Sequence, residues 1–175
     1  MRNEKSTYRV AFLGVTGALA LVMGLLEHML IPDIPFLPVG AKPGLSNVVT
    51  MYVTDYMGVG PGLYITLIKA AFAFVTRGAT ASAMSLCGGL LSTLTVALML
   101  RYRDRLFSFV GIGIAGALMH NFGQLAVACF ISGTPALLNY GKYLMIFALI
   151  TGSVTGGMLT LVMPRIERLL HKNAK

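Results

Sequence analysis

Charged side chains are scarce in this sequence. They make up 11% of its 175 residues, against about 25% in an ordinary soluble domain. Hydrophobic residues make up 56%, in segments separated by charged or Pro/Gly-rich breaks. Such segments are long enough to lie in a bilayer. The composition excludes a soluble protein and predicts an all-α membrane protein with a single integral membrane domain over residues 1–175.

Acidic residues are few, and none are clustered. The six acids are Glu4, Glu27, Asp33, Asp55, Asp104 and Glu167. A Mg²⁺ ion that binds a diphosphate needs neighbouring carboxylates, and the six acids are too scattered along the sequence to form such a group. The chain also lacks a GxxxxGK[ST] loop for ATP and the GxSxG and HExxH patterns of hydrolases. We therefore predict that the chain is not an enzyme and binds no metal or cofactor itself.

Cysteine is rare too. Cys87 and Cys129 both fall inside apolar segments, and no CxxC or Cys/His metal spacing is present. A buried thiol usually behaves as a small hydrophobic side chain. We assign neither cysteine a role.

The apolar segments predict six transmembrane helices. Their approximate bounds are residues 10–30, 44–57, 62–76, 80–100, 106–132 and 140–163. A Pro-rich outer loop, residues 31–46, holds four of the seven prolines and cannot be a regular helix. The first helix lacks a following small-residue cleavage site, so we expect it to be retained. The second and third helices are short for a hydrocarbon core of about 30 Å.

The net charge of +8 follows the predicted membrane topology. With six spans and a cytoplasmic N-terminus, the inner segments hold ten of the fourteen basic residues. These are Arg2, Lys5, Arg9, Arg101, Arg103, Arg105, Arg165, Arg168, Lys172 and Lys175. Excess positive charge on cytoplasmic segments is the usual pattern of membrane proteins. We expect both termini in the cytoplasm and no nucleic-acid partner.

The remaining cations are exceptions to this pattern. Lys42, Arg77 and Lys142 fall on or near the predicted outer side, and Lys69 falls within the third helix. Lys42 is a candidate for ligand binding. Arg77 is consistent with ligand binding or with anchoring at the interface, and Lys142 with snorkelling. Lys69 is either part of a structural ion pair or functional.

Polar side chains interrupt the fifth predicted helix. His120 and Gln124 are four residues apart, so they share a helix face, and Asn121 is adjacent. Polar groups at membrane depth cost free energy unless they are paired or line a cavity. They are candidates for ligand binding, although hydrogen bonds between helices would explain the same residues.

Small and weakly polar residues also recur at helical spacing on the neighbouring helices. The fourth helix has Ser82, Ser85, Gly89 and Ser92, and the sixth has Thr151, Gly152, Thr155 and Gly156. Tight packing alone would explain each stripe. Together with the fifth helix, they could instead surround an outward-facing cavity, with the Pro-rich loop as its lid.

The first helix has two pairs of small residues at a spacing of four. The pairs are Gly14 with Ala18 and Ala20 with Gly24. This small-xxx-small pattern favours close docking of another helix. The pattern does not distinguish an internal helix from another subunit.

Four segments have a characteristic sequence: LGVTGALALVMGLLEHMLIP, PVGAKPGLSNVVTMY, TASAMSLCGGLLS and GIAGALMHNFGQLAVA. Over about residues 8–163 the chain resembles the Gx transporter family, often labelled heptaprenyl diphosphate synthase component I. That family is similar to the substrate-binding S components of energy-coupling factor (ECF) importers. The resemblance implies a six-helix S component in the cytoplasmic membrane of a prokaryote.

The resemblance also implies partners and site residues. Gly14 and Ala18 would dock on a T-type transmembrane protein in the lipid bilayer, and two cytoplasmic ATPases would use the ATP. The loop would bind substrate through Lys42, Gly44 and Asn47, the fourth helix through Ser85, and the fifth through its polar residues. The full candidate set is Glu27, Lys42, Asn47, Arg77, Ser85, His120, Asn121 and Gln124.

Two hypotheses result. The first is a substrate-binding subunit of an ATP-driven importer for a small, partly anionic compound such as a vitamin or cofactor precursor. The second is a non-catalytic membrane subunit for polyprenyl diphosphate or quinone synthesis or for flavin-linked electron transfer. They differ in whether the polar residues of the fifth helix bind a ligand.

Overall fold

A computed structural model describes residues 2–30 and 44–172. The elements in chain order are α1 (Arg2–Leu30), α2 (Leu45–Met57), α3 (Val59–Arg77), α4 (Ala79–Leu100), α5 (Arg103–Leu106), α6 (Phe109–Ser132), a 3₁₀ turn (Pro135–Tyr140) and α7 (Gly141–Lys172). The six predicted helices correspond to α1–α4, α6 and α7. The short α5 lies in what was predicted to be a loop.

Among the described helices, five are long and apolar enough to cross a membrane. They cover Thr7–Met29, Val59–Arg77, Ala79–Leu100, Phe109–Ser132 and Ala136–Arg165. The chain is therefore a multi-pass helical membrane protein. The expected six spans are not confirmed, because α2 has 13 residues and a length of roughly 20 Å. A full span needs about 20 residues.

Helix α2 is short, but it lies inside the bundle. It packs against α1, α3, α4 and α7. Val49, Met51 and Val53 are buried on these contacts, together with Ser46, Thr50 and Thr54. Neighbouring helices thus cover the central part of α2, which allows a helix shorter than the hydrocarbon core to exist within the bundle.

Helix α6 lies between α4 and α7, and glycines bring it close to both. A Cβ at Gly123 would come within 2.8 Å of the Gly88 Cα on α4. On the other side, a Cβ at Gly113 would lie 2.8 Å from the Gly156 nitrogen on α7. Small residues permit such close packing where lipid supplies no hydrophobic driving force between helices.

Two helix boundaries differ most from the predicted ones. Helix α1 begins at Arg2 and not near residue 10, so the polar start of the chain is helical. Helix α7 runs to Lys172 and contains Pro164, although the proline was expected to end it near residue 163. A proline interrupts one backbone hydrogen bond, but the turns on either side can remain helical.

The end of the bundle that holds the start of α1 also holds α5 and the start of α6. Tyr8, Phe12, Tyr52 and Tyr56 form a chain of ring contacts there, between α1 and α2. Arg103 of α5 forms an ion pair of 2.9 Å with Asp55 of α2, and its guanidinium lies 4.8 Å from the centre of the Phe109 ring. These contacts fix α2 and α5 at this end, which we call the basic end.

Candidate functional site

A cavity of about 430 Å³ opens at the opposite end of the bundle. Residues from every described helix except α5 line it. The volume is within the range of roughly 300–1,000 Å³ that is typical of small-molecule sites. Its exposed lining residues, which include His28, Thr76, Arg77 and Thr80, mark a mouth at the end where α1 stops and α2 begins.

The cavity brings together every candidate residue that the structure describes. These are Glu27, Asn47, Arg77, Ser85, His120, Asn121 and Gln124. Lys42 and most of the predicted lid, residues 31–43, lie outside the described residues. Of the predicted loop, Leu45 and Ser46 already belong to α2. The candidates come from five separated stretches of sequence, so the helix packing alone makes them neighbours.

Glu27 lies where α1 meets α2. It is 4% exposed, and its carboxylate accepts a hydrogen bond from the N–H of Leu45, the first residue of α2. The residue before it, Gly44, has a left-handed backbone (φ 81°), which other residues adopt with strain. An anionic acceptor stabilises a helix N-terminus, where backbone N–H groups lack partners. Glu27 therefore fixes the start of α2 beside the cavity.

Lys69 of α3 lies across the cavity from α1. Its ammonium donates hydrogen bonds to Asn47 Oδ1 (2.7 Å) and Thr50 Oγ1 (3.3 Å) on α2. It is also close enough to Glu27 for the opposite charges to attract each other. The sequence left the role of Lys69 open, because nothing in its own helix indicates a partner. The structure shows that it links α3 to α2 and lines the cavity.

His120 of α6 packs against α4. Its Nδ1 atom is buried and makes no hydrogen bond of normal geometry to the described residues, although the imidazole lies beside the Gly88 backbone. A Cβ at Gly88 would come within 3.2 Å of this nitrogen. A buried polar atom without a partner costs free energy, and such atoms in proteins usually have a reason in function or in bound water. His120 is therefore the strongest single indication of a ligand site.

Asn121 and Gln124 differ in their contacts. The Asn121 side-chain amide donates to the Leu144 carbonyl on α7 at 3.1 Å, so its nitrogen already joins two helices. Gln124 and Ser85 line the cavity, and no protein hydrogen bond occupies their side chains within the described part of the chain. Their polar atoms are available to a ligand.

Hydroxyl groups cover much of the cavity wall, and the sequence singled out only some of them. Thr151 and Thr155 on α7 belong to a predicted stripe. Thr50 on α2, and Thr66 and Thr93 on α3 and α4, were missed. One signal was available for α2, where Thr50 and Thr54 lie four residues apart on the buried face of the helix. This spacing alone also fits ordinary core packing.

The two small-residue pairs of α1 face different environments. Ala20 is buried, and a Cβ at Gly24 would contact Ser46 of α2, so this pair packs inside the bundle. Gly14 and Ala18 are exposed, and a Cβ at Gly14 would meet no atom within 4 Å. The outer pair therefore has no internal partner among the described residues.

Fold and cavity together define a class: a multi-pass helical membrane protein whose helices line a small-molecule-sized cavity that is mainly apolar and carries several polar side chains. The model of the family described as heptaprenyl diphosphate synthase component I matches residues 16–162, and the chain belongs to this family. The matched range includes the cavity-lining parts of all the helices. No curated protein and no solved structure matches the chain.

Proposed function

We propose that the chain is the membrane-embedded substrate-binding subunit of an ECF-type, ATP-driven importer in the cytoplasmic membrane of a prokaryote. The buried, unpartnered Nδ1 of His120 beside the cavity is the observation that carries this proposal. A bound ligand would offer this nitrogen a hydrogen bond and recover the free energy lost on burial.

The partners in this proposal are a T-type transmembrane protein and two cytoplasmic ATPases. The exposed Gly14 and Ala18 would let another helix approach the backbone of α1 closely. The cavity mouth would then face outward, with both termini and the basic end in the cytoplasm. Positive charge on cytoplasmic segments supports this orientation. The ligand would be small, in agreement with a cavity of about 430 Å³.

The family's description favours one alternative, a non-catalytic subunit of polyprenyl diphosphate synthesis. In that case the cavity would be filled by side chains, lipid or water in the assembled complex, and no transported compound would bind.

Affinity purification of the tagged chain from native membranes, in mild detergent, separates these functions. For the importer we expect mass spectrometry to find a T-type membrane protein and two ATPases in the eluate. Recovery of a prenyl synthase with no ATPase would contradict the importer and support the accessory subunit.

A further inference from the structure

The hydrogen bonds of Lys69 leave part of its ammonium unused. A lysine ammonium has three donors, and those of Lys69 reach two acceptors, Asn47 and Thr50, within the described residues. The side chain also lines the cavity. One N–H of the Lys69 ammonium therefore has no acceptor among the described residues. A cation at membrane depth with an unsatisfied donor costs free energy, unless a bound molecule supplies the acceptor.

His120 and Lys69 line the same cavity. Their positive charges would repel each other if both side chains were protonated. His120 has its own buried nitrogen without a partner. A negatively charged acceptor near both groups would accept from Lys69, could accept from the imidazole, and would remove their repulsion.

The charges around the cavity limit how negative that acceptor can be. With the histidines counted as neutral, the described lining holds two cations, Lys69 and Arg77, and one anion, Glu27. A single negative charge balances this set. A phosphate monoester, which carries about −1.5 to −2 at pH 7, would leave an excess of negative charge at membrane depth. Protonation of a histidine would add one positive charge, so this balance applies to neutral histidines.

We propose that the cavity binds a ligand with one carboxylate group, held between the Lys69 ammonium and the His120 imidazole. Lys69 is then a ligand-binding residue in addition to a link between α2 and α3. The polar atoms of Ser85 and Gln124 remain for the uncharged part of the ligand. This inference rests on the proposed substrate-binding role of the cavity.

Acetate is the minimal probe of such a site. The Tm of the full chain, purified in mild detergent, is measured in a series of buffers in which acetate progressively replaces chloride at constant ionic strength. We expect a saturable rise in Tm with acetate and no comparable rise with inorganic phosphate, since a ligand that binds the folded state stabilises it. Lys69→Gln should weaken the apparent acetate affinity about tenfold or more, as expected for a lost charge-assisted hydrogen bond.

The matched control is Lys142→Gln. Lys142 is exposed outside the cavity, with its ammonium 5.1 Å from the centre of the Tyr143 ring, and we expect this variant to respond to acetate like the unchanged chain. An unchanged chain that does not respond to acetate would overturn the proposal. So would a Lys69→Gln variant with full acetate affinity, or a stronger response to phosphate.

A second measurement needs no change at Lys69 and applies if that variant fails to fold. In the chain labelled with ¹⁵N-histidine, the imidazole resonances of His120 are identified as those missing from His120→Gln. We expect acetate to shift these resonances, and unshifted resonances would contradict the site.

The result is independent of the importer test. Lys69-dependent acetate binding without co-purified ATPases would refute the importer alone, and ATPases without acetate binding would refute the carboxylate site alone.

Discussion

Gly88 on α4 lies directly against His120 on α6. A Cβ at residue 88 would come within 2.7 Å of the His120 carbonyl oxygen and 3.2 Å of its Nδ1. The absence of a side chain at position 88 thus sets both the distance between two helices and the position of the candidate ligand-binding imidazole. A single methyl group at this point would act on the fold and on the site together.

We therefore expect Gly88→Ala to lower the free energy of unfolding by about 1–3 kcal/mol, as overpacking commonly does. It should also weaken ligand binding by moving His120. Gly157→Ala is the control, because a Cβ at Gly157 would meet no atom within 4 Å. Thermal unfolding in detergent can be followed with a thiol-reactive dye on Cys87 and Cys129, which are free and half-buried. Equal stability of the two variants would contradict the close packing.

His120 and Asn121 should separate binding from stability. Since the Asn121 amide donates to the Leu144 carbonyl across α6 and α7, we expect Asn121→Ala to cost about 1 kcal/mol of stability. His120→Ala removes a polar atom that has no partner, so it should abolish ligand binding with little loss of stability. Co-purified small molecules and Tm would be measured for both variants. A large drop in Tm for His120→Ala alone would indicate a structural histidine.

The hydroxyls of Thr66 and Thr93 share a hydrogen bond of 2.9 Å between α3 and α4. Both residues are almost fully buried, with 2% and 3% of their surface exposed. We expect Thr66→Val to cost about 1–3 kcal/mol, because it leaves the Thr93 hydroxyl unpaired. The double variant Thr66→Val/Thr93→Val should be less destabilised than the sum of the two single variants. Additive losses in a double-mutant cycle would show that the bond contributes nothing.

The outer face of α1 should bind a partner. We expect Gly14→Leu and Ala18→Leu to reduce the recovery of the T-type protein and ATPases, while Tm in detergent stays unchanged, because both positions are exposed. Ala71→Leu is the matched control, since Ala71 is an exposed small residue on α3. Loss of partners from the control, or retention of partners by both α1 variants, would exclude this face as the docking surface.

The sequence supplied a set of candidate residues but not their arrangement in space. A polar side chain inside an apolar helix is conspicuous, so His120, Asn121 and Gln124 could be selected from sequence. Lys69 could not be assigned a role, since its partners Asn47 and Thr50 lie 22 and 19 residues away on another helix. The same limit applies to α1, where sequence treats both small-residue pairs alike and only packing shows that Ala20 is internal and Gly14 is not.

The sequence by itself determined that the chain is helical and membrane-embedded, because apolar length and charge at the segment ends depend only on local composition. It also located most helices to within a few residues. The tertiary structure decided what local composition does not contain: that the short α2 is sheltered by its neighbours, that glycines join α6 to α4 and α7, and that Glu27, Lys69 and His120 line one cavity. These features depend on contacts between residues far apart in the chain, and such contacts form only when the helices pack.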